Sequence, residues 1–502
     1  MLLLALPPHA GAQRPVVPAT TAAPSTTAPA AAPGDTLRLT LAQSVATALA
    51  RSTPVLTAQE DERVAAASVL RAYGQFLPTL AGIGSTYSEA GNPLLSSTAL
   101  LPTNATLYGL NVGLSTTYTL FSGTRDRAAL RTAIAQREAA GLTLGRAREE
   151  IAYDVANAYY QVVLDDRLAA VARTTLQLSR NREAQLTAQV RAGMKAPPDL
   201  YRQQAQTRAD EAAVIAADNR GDADRITLLR RLRYDPARPL AVTLPAAAPD
   251  GTPALFVPDA PNAATGARTG ATPGMQAPAT TPPIATGADV AALERQALIA
   301  RPDLAAAAAQ RRAADQQMRF ARGERLPTIG IEFDLVDQAR LFGRAVQNGQ
   351  NLLAPGQRGA FSQLGSQVAG LLSLGVNLPI FDRHQARADE ERAQALEERS
   401  RVTEADVRDR IVGEVAQAAA DIRAADLTAQ AAAAQVDAAE RAFAAVSGRY
   451  EVGMASFIDV ATAQTALAQA RVQREQATVN QSLARARLGL ATGRGVVGAT
   501  AP

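Results

Sequence analysis

Two long stretches without proline, residues 124–190 and 383–449, constrain the fold of this 502-residue chain more than any other feature. In both, apolar residues recur at helical spacing among many alanines, as at Val407, Ile411 and Val415. At a rise of about 1.5 Å per residue, a helix over either stretch is about 100 Å long. Helices of this length are typical of coiled coils and helical tubes. The sequence therefore predicts an elongated, mainly helical molecule.

Each long helix is predicted to end at a turn that the chain contains twice. Both turns have a Gly-Met pair, with an aspartate five residues after the methionine. The residues are Gly193, Met194 and Asp199 in the first turn, and Gly453, Met454 and Asp459 in the second. Glycine reverses the chain at low cost because it adopts positive φ angles easily. We therefore predict two long antiparallel helical hairpins with these turns as their tips.

Further repeats show that the chain consists of two copies of one unit. "FLPT" at residues 76–79 returns as "RLPT" at 325–328, and "LFSGTRDRA" at 120–128 corresponds to "IFDRHQARA" at 380–388. Each copy is predicted to contain short helices, two strands and a long helical hairpin. The first copy covers residues 37–234 and the second covers residues 289–493.

The remaining segments are predicted to lie outside the two copies. A low-complexity linker rich in Pro, Gly, Ala and Thr covers residues 235–288, a disordered Pro/Ala/Thr-rich segment covers 13–36, and a tail covers 494–502. Residues 1–12 resemble a truncated signal peptide without a basic region. Either the start of the chain is assigned too late, or this segment is not a signal.

Period-2 alternation of apolar and polar residues predicts two strands in each copy. They cover residues of about 79–88, 107–121, 327–337 and 369–381. The simplest interpretation is a soluble antiparallel sheet with one dry face. Two features favour a lipid-embedded barrel instead. Tyr108 and Tyr118 lie about 25 Å apart along a tilted strand, the height of an apolar band between aromatic girdles, and Glu332 and Asp334 suit a wet lumen.

Four strands cannot close a barrel in lipid, because an open sheet edge is not tolerated there. A barrel therefore requires several chains to pool their strands. The chain has no Cys, its only histidines are His9 and His384, and no glycine-rich phosphate loop follows a strand. Its 51 cationic and 47 anionic side chains are interspersed. We therefore expect no enzyme activity, no metal or other cofactor, and no nucleic-acid partner.

The motifs together resemble the TolC family of outer-membrane efflux proteins. The resemblance covers residues 39–493 apart from the linker, and it is most specific at "NLPIFDRHQARA" (377–388) and "RYEVGMASFIDVATAQTALAQAR" (449–471). It implies a homotrimer whose four strands per chain form a transmembrane β-barrel in outer-membrane lipid. The helical hairpins would form a periplasmic tunnel that docks to a periplasmic adaptor and an inner-membrane pump. The protein would be a passive exit duct.

The resemblance also assigns roles at the helical tips. Tyr450, Asp199 and Asp459 match residues that close the periplasmic mouth in such channels, and the two Gly-Met turns would dock the adaptor. Ala455 stands where the family has an arginine. We predict that Lys195, the only lysine, partly replaces it and pairs with Asp199 or Asp459. In the alternative, both aspartates only cap the returning helices.

A soluble periplasmic coiled-coil scaffold or adaptor remains the alternative to a channel. Such a protein needs long amphipathic helices but no lipid-facing strands. Outer-membrane fractionation with detergent-dependent, heat-modifiable migration favours the channel. Solubility without detergent favours the scaffold.

Overall fold

The structure, a computed structural model, describes residues 36–91, 104–243, 287–347, 350–351, 365 and 368–494. The predicted signal segment, the predicted disordered segment up to residue 35, most of the predicted linker and the predicted tail beyond residue 494 lie outside these residues. In chain order the elements are β1 (Leu37–Leu39), α1 (Leu41–Arg51), α2 (Thr53–Gly74), β2 (Thr79–Gly91), β3 (Asn104–Phe121), α3 (Arg125–Arg191), α4 (Pro197–Arg231), β4 (Leu240–Val242), α5 (Gly287–Ala300), α6 (Pro302–Gly323), β5 (Thr328–Gln347), β6 (Gln350–Asn351), β7 (Val368–Asn377), α7 (Gln385–Glu451) and α8 (Phe457–Ala491).

The predicted mainly helical fold with two copies of one unit is confirmed. Helices α2 and α6 each have 22 residues, α3 and α7 each have 67, and α4 and α8 each have 35. The strand pairs share one register, because Thr79 lies opposite Thr117 in the first copy and Thr328 lies opposite Asn377 in the second. The three longer helices and the strand register are thus repeated in the two copies.

The helices form two rows that share α3 and α7. In the half next to the sheet, the order is α2, α3, α6, α7, and in the half next to the tips it is α4, α3, α8, α7. Small residues allow this close packing, as where Ala418 and Ala419 of α7 are fully buried. Among the described residues, no helix combines the length and apolar character needed to cross a lipid bilayer.

The main core lies where the two helical rows meet. There Val155, Tyr159 and Val162 of α3 pack against Leu228 and Leu232 at the end of α4. All five side chains are at most 2% exposed. This cluster fixes the first hairpin to α1 and so sets the direction in which the tips project.

The strands form an antiparallel sheet in the order β2, β3, β5, β7, with β6 paired to the end of β5. Neighbours across an antiparallel pair share a face. Leu114 lies opposite Leu335, whereas Glu332 lies between Thr117 and Ser373. The register therefore separates an apolar face from a polar face, as the alternation predicts.

The predicted strand boundaries need correction in the second copy. Strand β5 continues to residue 347 rather than 337, and β7 ends at Asn377 rather than at residue 381. Pro379 follows two residues later and has no N–H for a ladder hydrogen bond, which agrees with the early end. Tyr118 lies in β3 and is partly exposed, whereas the side chain of Tyr108 lies outside the described part.

The prediction of coil throughout residues 235–288 is also wrong at its start. Strand β4 pairs in parallel with β1, and Leu39 and Leu240 are buried in the main core. The Tyr159 hydroxyl donates to the carbonyl of Thr243 and fixes the end of this strand. Three residues are too few to show period-2 alternation, so tertiary contacts determine this small sheet.

Candidate functional site at the hairpin tips

Both tips end their long helix with the same hydrogen-bonded turn. Gly193 and Gly453 have φ angles of 72° and 78°, a conformation that favours glycine. The N–H groups of Met194 and Met454 donate 2.8 Å bonds to the carbonyls of Gln189 and Arg449, five residues earlier. This pattern is a Schellman motif, which satisfies carbonyls that a helix end leaves free. The predicted turns are therefore built alike in both copies.

The two methionines project from the tips into solvent. Met194 is 68% exposed and Met454 is 66% exposed, and Val452 beside the second turn is 67% exposed. Methionine is flexible and polarizable, and such side chains adapt to varied apolar partners. The tips thus present apolar contact points that the chain itself does not cover.

Tyr450 lies between the two hairpins. Its side chain belongs to an apolar cluster with Leu186 of α3 and with Phe457 and Val460 of α8. Its ring meets that of Phe457 edge-on at 6.5 Å between centroids. Tyr450 is only 6% exposed. Within one chain Tyr450 therefore packs between the two hairpins, and its role in a gate stays a prediction.

Two cations lie near the Tyr450 ring. The Lys195 Nζ atom is 4.0 Å from the ring centroid, and the Arg182 Cζ atom is 5.6 Å from it. Both distances fall in the range of cation–π contacts. Burial raises the pKa of the Tyr450 hydroxyl, and the nearby negative charge of Asp199 raises it further. The ring therefore stays neutral and holds cations of the first hairpin against the second.

The predicted pairing of Lys195 with an aspartate is not formed within the chain. Across the described residues, the ion pair of Asp199 is with Arg202, at 3.6 Å and one helical turn away. Lys195 instead places Nζ 3.5 Å from the backbone carbonyl oxygen of Tyr450. The local geometry of α4 explains the difference, because residues three apart on a helix are neighbours. Lys195 thus joins the tips through Tyr450.

The two repeated aspartates differ in their contacts. Asp459 and Ser456 form a capping box, in which the Asp459 N–H donates to Ser456 Oγ at 3.2 Å and the Ser456 N–H donates to Asp459 Oδ2 at 2.9 Å. The Ser456 N–H and hydroxyl lower the pKa of Asp459. In the first hairpin Ala196 occupies the cap position and makes no side-chain cap. Asp459 is therefore a helix cap in the chain, and Asp199 lacks this role.

Sequence reasoning missed three residues of this site. Arg182 contacts Tyr450 across the interface between the hairpins, and no local pattern links it to a residue 268 positions later. Phe457 contacts Tyr450 within the second hairpin. Ser456 could have been found, because Ser followed three residues later by an acid is a capping-box signal. The missed contacts are tertiary, and the missed cap is local.

In the described part of the chain, the groove beside the tips lacks the histidine and carboxylate side chains that acid–base catalysis commonly uses. An open groove of about 510 Å³ runs between α4 and α8, and its lining includes Arg202, Gln206 and Thr462 but no histidine or carboxylate. Within the described ranges, no three His, Cys, Asp or Glu side chains lie close enough to hold a metal ion. The site is a surface for contacts between helices.

The outer membrane efflux protein family matches residues 44–232 and 293–494, one segment in each copy of the unit. The chain belongs to this family. Membership confirms the predicted resemblance and places the protein in the outer membrane with a role as an efflux channel. No curated protein sequence matches the chain.

Solved structures of outer-membrane channels have the same fold. VceC from Vibrio cholerae superposes with a TM-score of 0.69 at 18% identity, covering 91% of this chain and 96% of VceC. The channel OprN gives 0.70 at 19% identity, covering 91% and 90%. The open state of MtrE from Neisseria gonorrhoeae gives 0.67 at 20% identity, covering 92% and 91%. At these identities the likeness establishes the fold of this family member.

Proposed function

We propose that the protein is the outer-membrane channel of a tripartite efflux system. Three copies together form a twelve-stranded barrel and a helical tunnel in the periplasm. The chain is a passive duct without catalytic chemistry, and it receives substrates from an inner-membrane pump through a periplasmic adaptor. The observation that carries the proposal is the family match over both copies of the unit.

The sheet supports a membrane-embedded barrel. Strands β2 and β7 lie at the edges of the strand order and have no second partner among the described residues. A free edge is not tolerated in lipid, so each must pair with another chain. Leu372, Leu374 and Val376 of β7 are between 66% and 71% exposed. Apolar side chains on a sheet with unpaired edges fit an assembled barrel in a bilayer.

The tips support the adaptor contact. Met194 and Met454 end the two hairpins and are exposed at equivalent positions. The turns carry them at the end of the molecule farthest from the sheet, since each long helix runs from a strand to a tip. If the strands lie in the outer membrane, the tips project into the periplasm, where an adaptor acts. These observations support the proposal that the adaptor docks on the Gly-Met turns.

The decisive experiment is reconstitution of the purified protein. A channel co-fractionates with outer membrane, migrates as a heat-modifiable oligomer and gives steady conductance steps in planar bilayers. A protein that stays soluble and monodisperse without detergent and gives no conductance contradicts the proposal and favours the scaffold. Deletion of the gene, with and without an intact pump, then tests whether efflux depends on both.

A further inference from the structure

Within one chain, the second copy of the unit packs on the first along α3, and this contact is called the internal join. Its geometry predicts how one chain packs on another. Helix α2 corresponds to α6 at an offset of 249 residues, and α3 and α4 correspond to α7 and α8 at an offset of 260. In the row of helices, α6 and α8 of the second copy pack on α3 of the first. The equivalent packing places α2 and α4 of another copy on α7.

Three side-chain pairs among the described residues connect the two copies along α3. In the half next to the sheet, Arg312 of α6 donates to Glu138 of α3 at 2.9 Å. In the half next to the tips, Arg167 of α3 lies 3.3 Å from Glu475 of α8. Closer to the tips, the Gln464 amide donates to the Ser179 hydroxyl at 2.9 Å. Charged and polar pairs thus fix the register along the whole of α3.

The equivalent positions at the free edges carry complementary side chains. Arg63 on α2 corresponds to Arg312, and Glu398 on α7 corresponds to Glu138. Their side chains are 77% and 60% exposed in the single chain, where they contact only Glu60 and Arg401 of their own helices among the ion pairs described. An arginine and a glutamate therefore occupy the positions from which the same pair can form between chains.

At the positions equivalent to Arg167 and Glu475, the free edges carry apolar side chains instead of an ion pair. Ile215 on α4 corresponds to Glu475, and Leu427 on α7 corresponds to Arg167. Ile215 is 64% exposed and Leu427 is 67% exposed in the single chain. Two exposed aliphatic side chains at matched positions on opposite edges are explained if they cover one another in an assembly.

We propose that the α2–α4 edge of one copy docks on the α7 edge of the next, with Arg63 against Glu398 and Ile215 against Leu427. The inference rests on the homo-oligomer of the proposed function and names its interface. Because the two edges differ, the contact is heterologous and repeats until the ring closes. Where the internal join has the ion pair Arg167–Glu475, the equivalent contact between chains is apolar.

The partner is a second copy because both edges match the internal join in register. The same mapping places Asn377 of β7 opposite Ile83 of the next copy, as Thr117 lies opposite Glu332 within the chain. Sheet and helices then continue from one chain to the next with the same relation as from the first copy to the second.

Cross-linking tests the contacts directly, because the native sequence has no Cys. The double variants Ile215→Cys with Leu427→Cys, and Arg63→Cys with Glu398→Cys, are treated in membranes with a short bismaleimide. We expect a ladder of covalent oligomers on denaturing gels that ends at the size of the closed ring. Each single variant should give at most a weak dimer band.

The matched controls use the internal join. Arg167→Cys with Glu475→Cys, and Glu138→Cys with Arg312→Cys, should cross-link with equal ease but leave the chain at monomer mass. If the native oligomer forms and the internal pairs react, yet the edge pairs give no ladder, the interface is wrong and the channel stands. If no native oligomer forms, the proposed function itself fails.

Discussion

The ammonium group of Lys195 lies 4.0 Å from the centre of the Tyr450 ring, so the turn of the first hairpin rests on the end of the second long helix. The contact joins two residues that are 255 positions apart and do not occupy equivalent positions in the two copies. It connects the two tips of one chain.

Loss of the Lys195 charge should loosen the tips. Lys195→Gln keeps much of the length but removes the cation–π contact, for which about 0.5–1 kcal/mol is typical at exposed sites. We expect hydrogen exchange of the tip amides, including those of Gly193 and Met454, to rise by about two- to fivefold. Lys195→Arg keeps a cation and should retain protection. Unchanged exchange in Lys195→Gln would show that Tyr450 holds the tip without it.

The tip glycines should be intolerant of a side chain. Gly453 has a φ of 78°, and an L-residue in this region costs about 1–2 kcal/mol. Gly453→Ala should therefore lower the thermal stability of the second hairpin. Gly413 in the interior of α7 has no atom within 4 Å of an added Cβ. There Gly413→Ala should stabilise the helix by about 0.5–1 kcal/mol, which makes it a matched control.

The tips also show what the sequence determines locally. Proline-free runs and Gly-Met turns predicted the hairpins, because helix length and chain reversal depend on nearby residues. The pairing of Lys195 with Asp199 or Asp459 was predicted from the position equivalent to Ala455; within one chain Asp199 pairs with Arg202 instead, and the pairing at a closed mouth stays a prediction. Two further contacts depend on the assembled core, the contact of Arg182 with Tyr450 and the pairing of β1 with β4. No local sequence pattern predicts them.

A buried acid in the first hairpin should make stability depend on pH. Asp165 of α3 has a side chain 1% exposed, with Arg220 Nε 3.4 Å from Oδ1. Burial, reinforced by the nearby carboxyl of Asp224, raises its pKa to about 7. The folded state therefore holds a proton that the unfolded chain releases near pH 4, and stability falls as the pH rises from about 4 to 7.

Asp165→Asn should remove this dependence and stabilise the hairpin at pH 8 by on the order of a few kcal/mol. Hydrogen exchange of α3 and α4 at pH 5 and pH 8, corrected for intrinsic rates, measures the difference. Asp166→Asn is the control, because this neighbour pairs with Arg225 and is more exposed. It should not stabilise at pH 8. Equal pH dependence in wild type and Asp165→Asn would contradict the assigned pKa.

A charge on the apolar face of the sheet should block membrane assembly. Leu114 lies opposite Leu335 and is 48% exposed. Leu114→Arg should cost about 2–4 kcal/mol per chain near the bilayer midplane. Thr117→Arg is the control on the opposite face, where Glu332 lies beside it. Normal outer-membrane insertion of Leu114→Arg, measured by fractionation and heat-modifiability, would argue against a lipid-facing position.

The repeated aspartates distinguish a gate from a cap. Asp459 caps α8 through Oδ2, whereas Asp199 makes no capping-box contact, so a purely capping role explains only one of them. Tyr450 has a buried hydroxyl without a hydrogen-bond partner among the described residues. An unsatisfied buried hydroxyl costs free energy, so a rearrangement of the tips that gives it a partner is favourable. We therefore expect the three residues to act together at the closed mouth.

Single-channel recording in planar bilayers tests this expectation. The triple variant Asp199→Asn, Asp459→Asn and Tyr450→Phe removes two charges and one hydroxyl but keeps the side-chain shapes, so it should raise conductance and weaken closure. Ser456→Ala is the matched control, because it removes the cap, at a typical cost of about 0.5–2 kcal/mol, and leaves both acids in place. It should fray the start of α8, visible as faster hydrogen exchange, without a change in conductance. If the triple variant conducts like the wild type, or if Ser456→Ala opens the channel equally, the aspartates stabilise helices and do not gate the mouth.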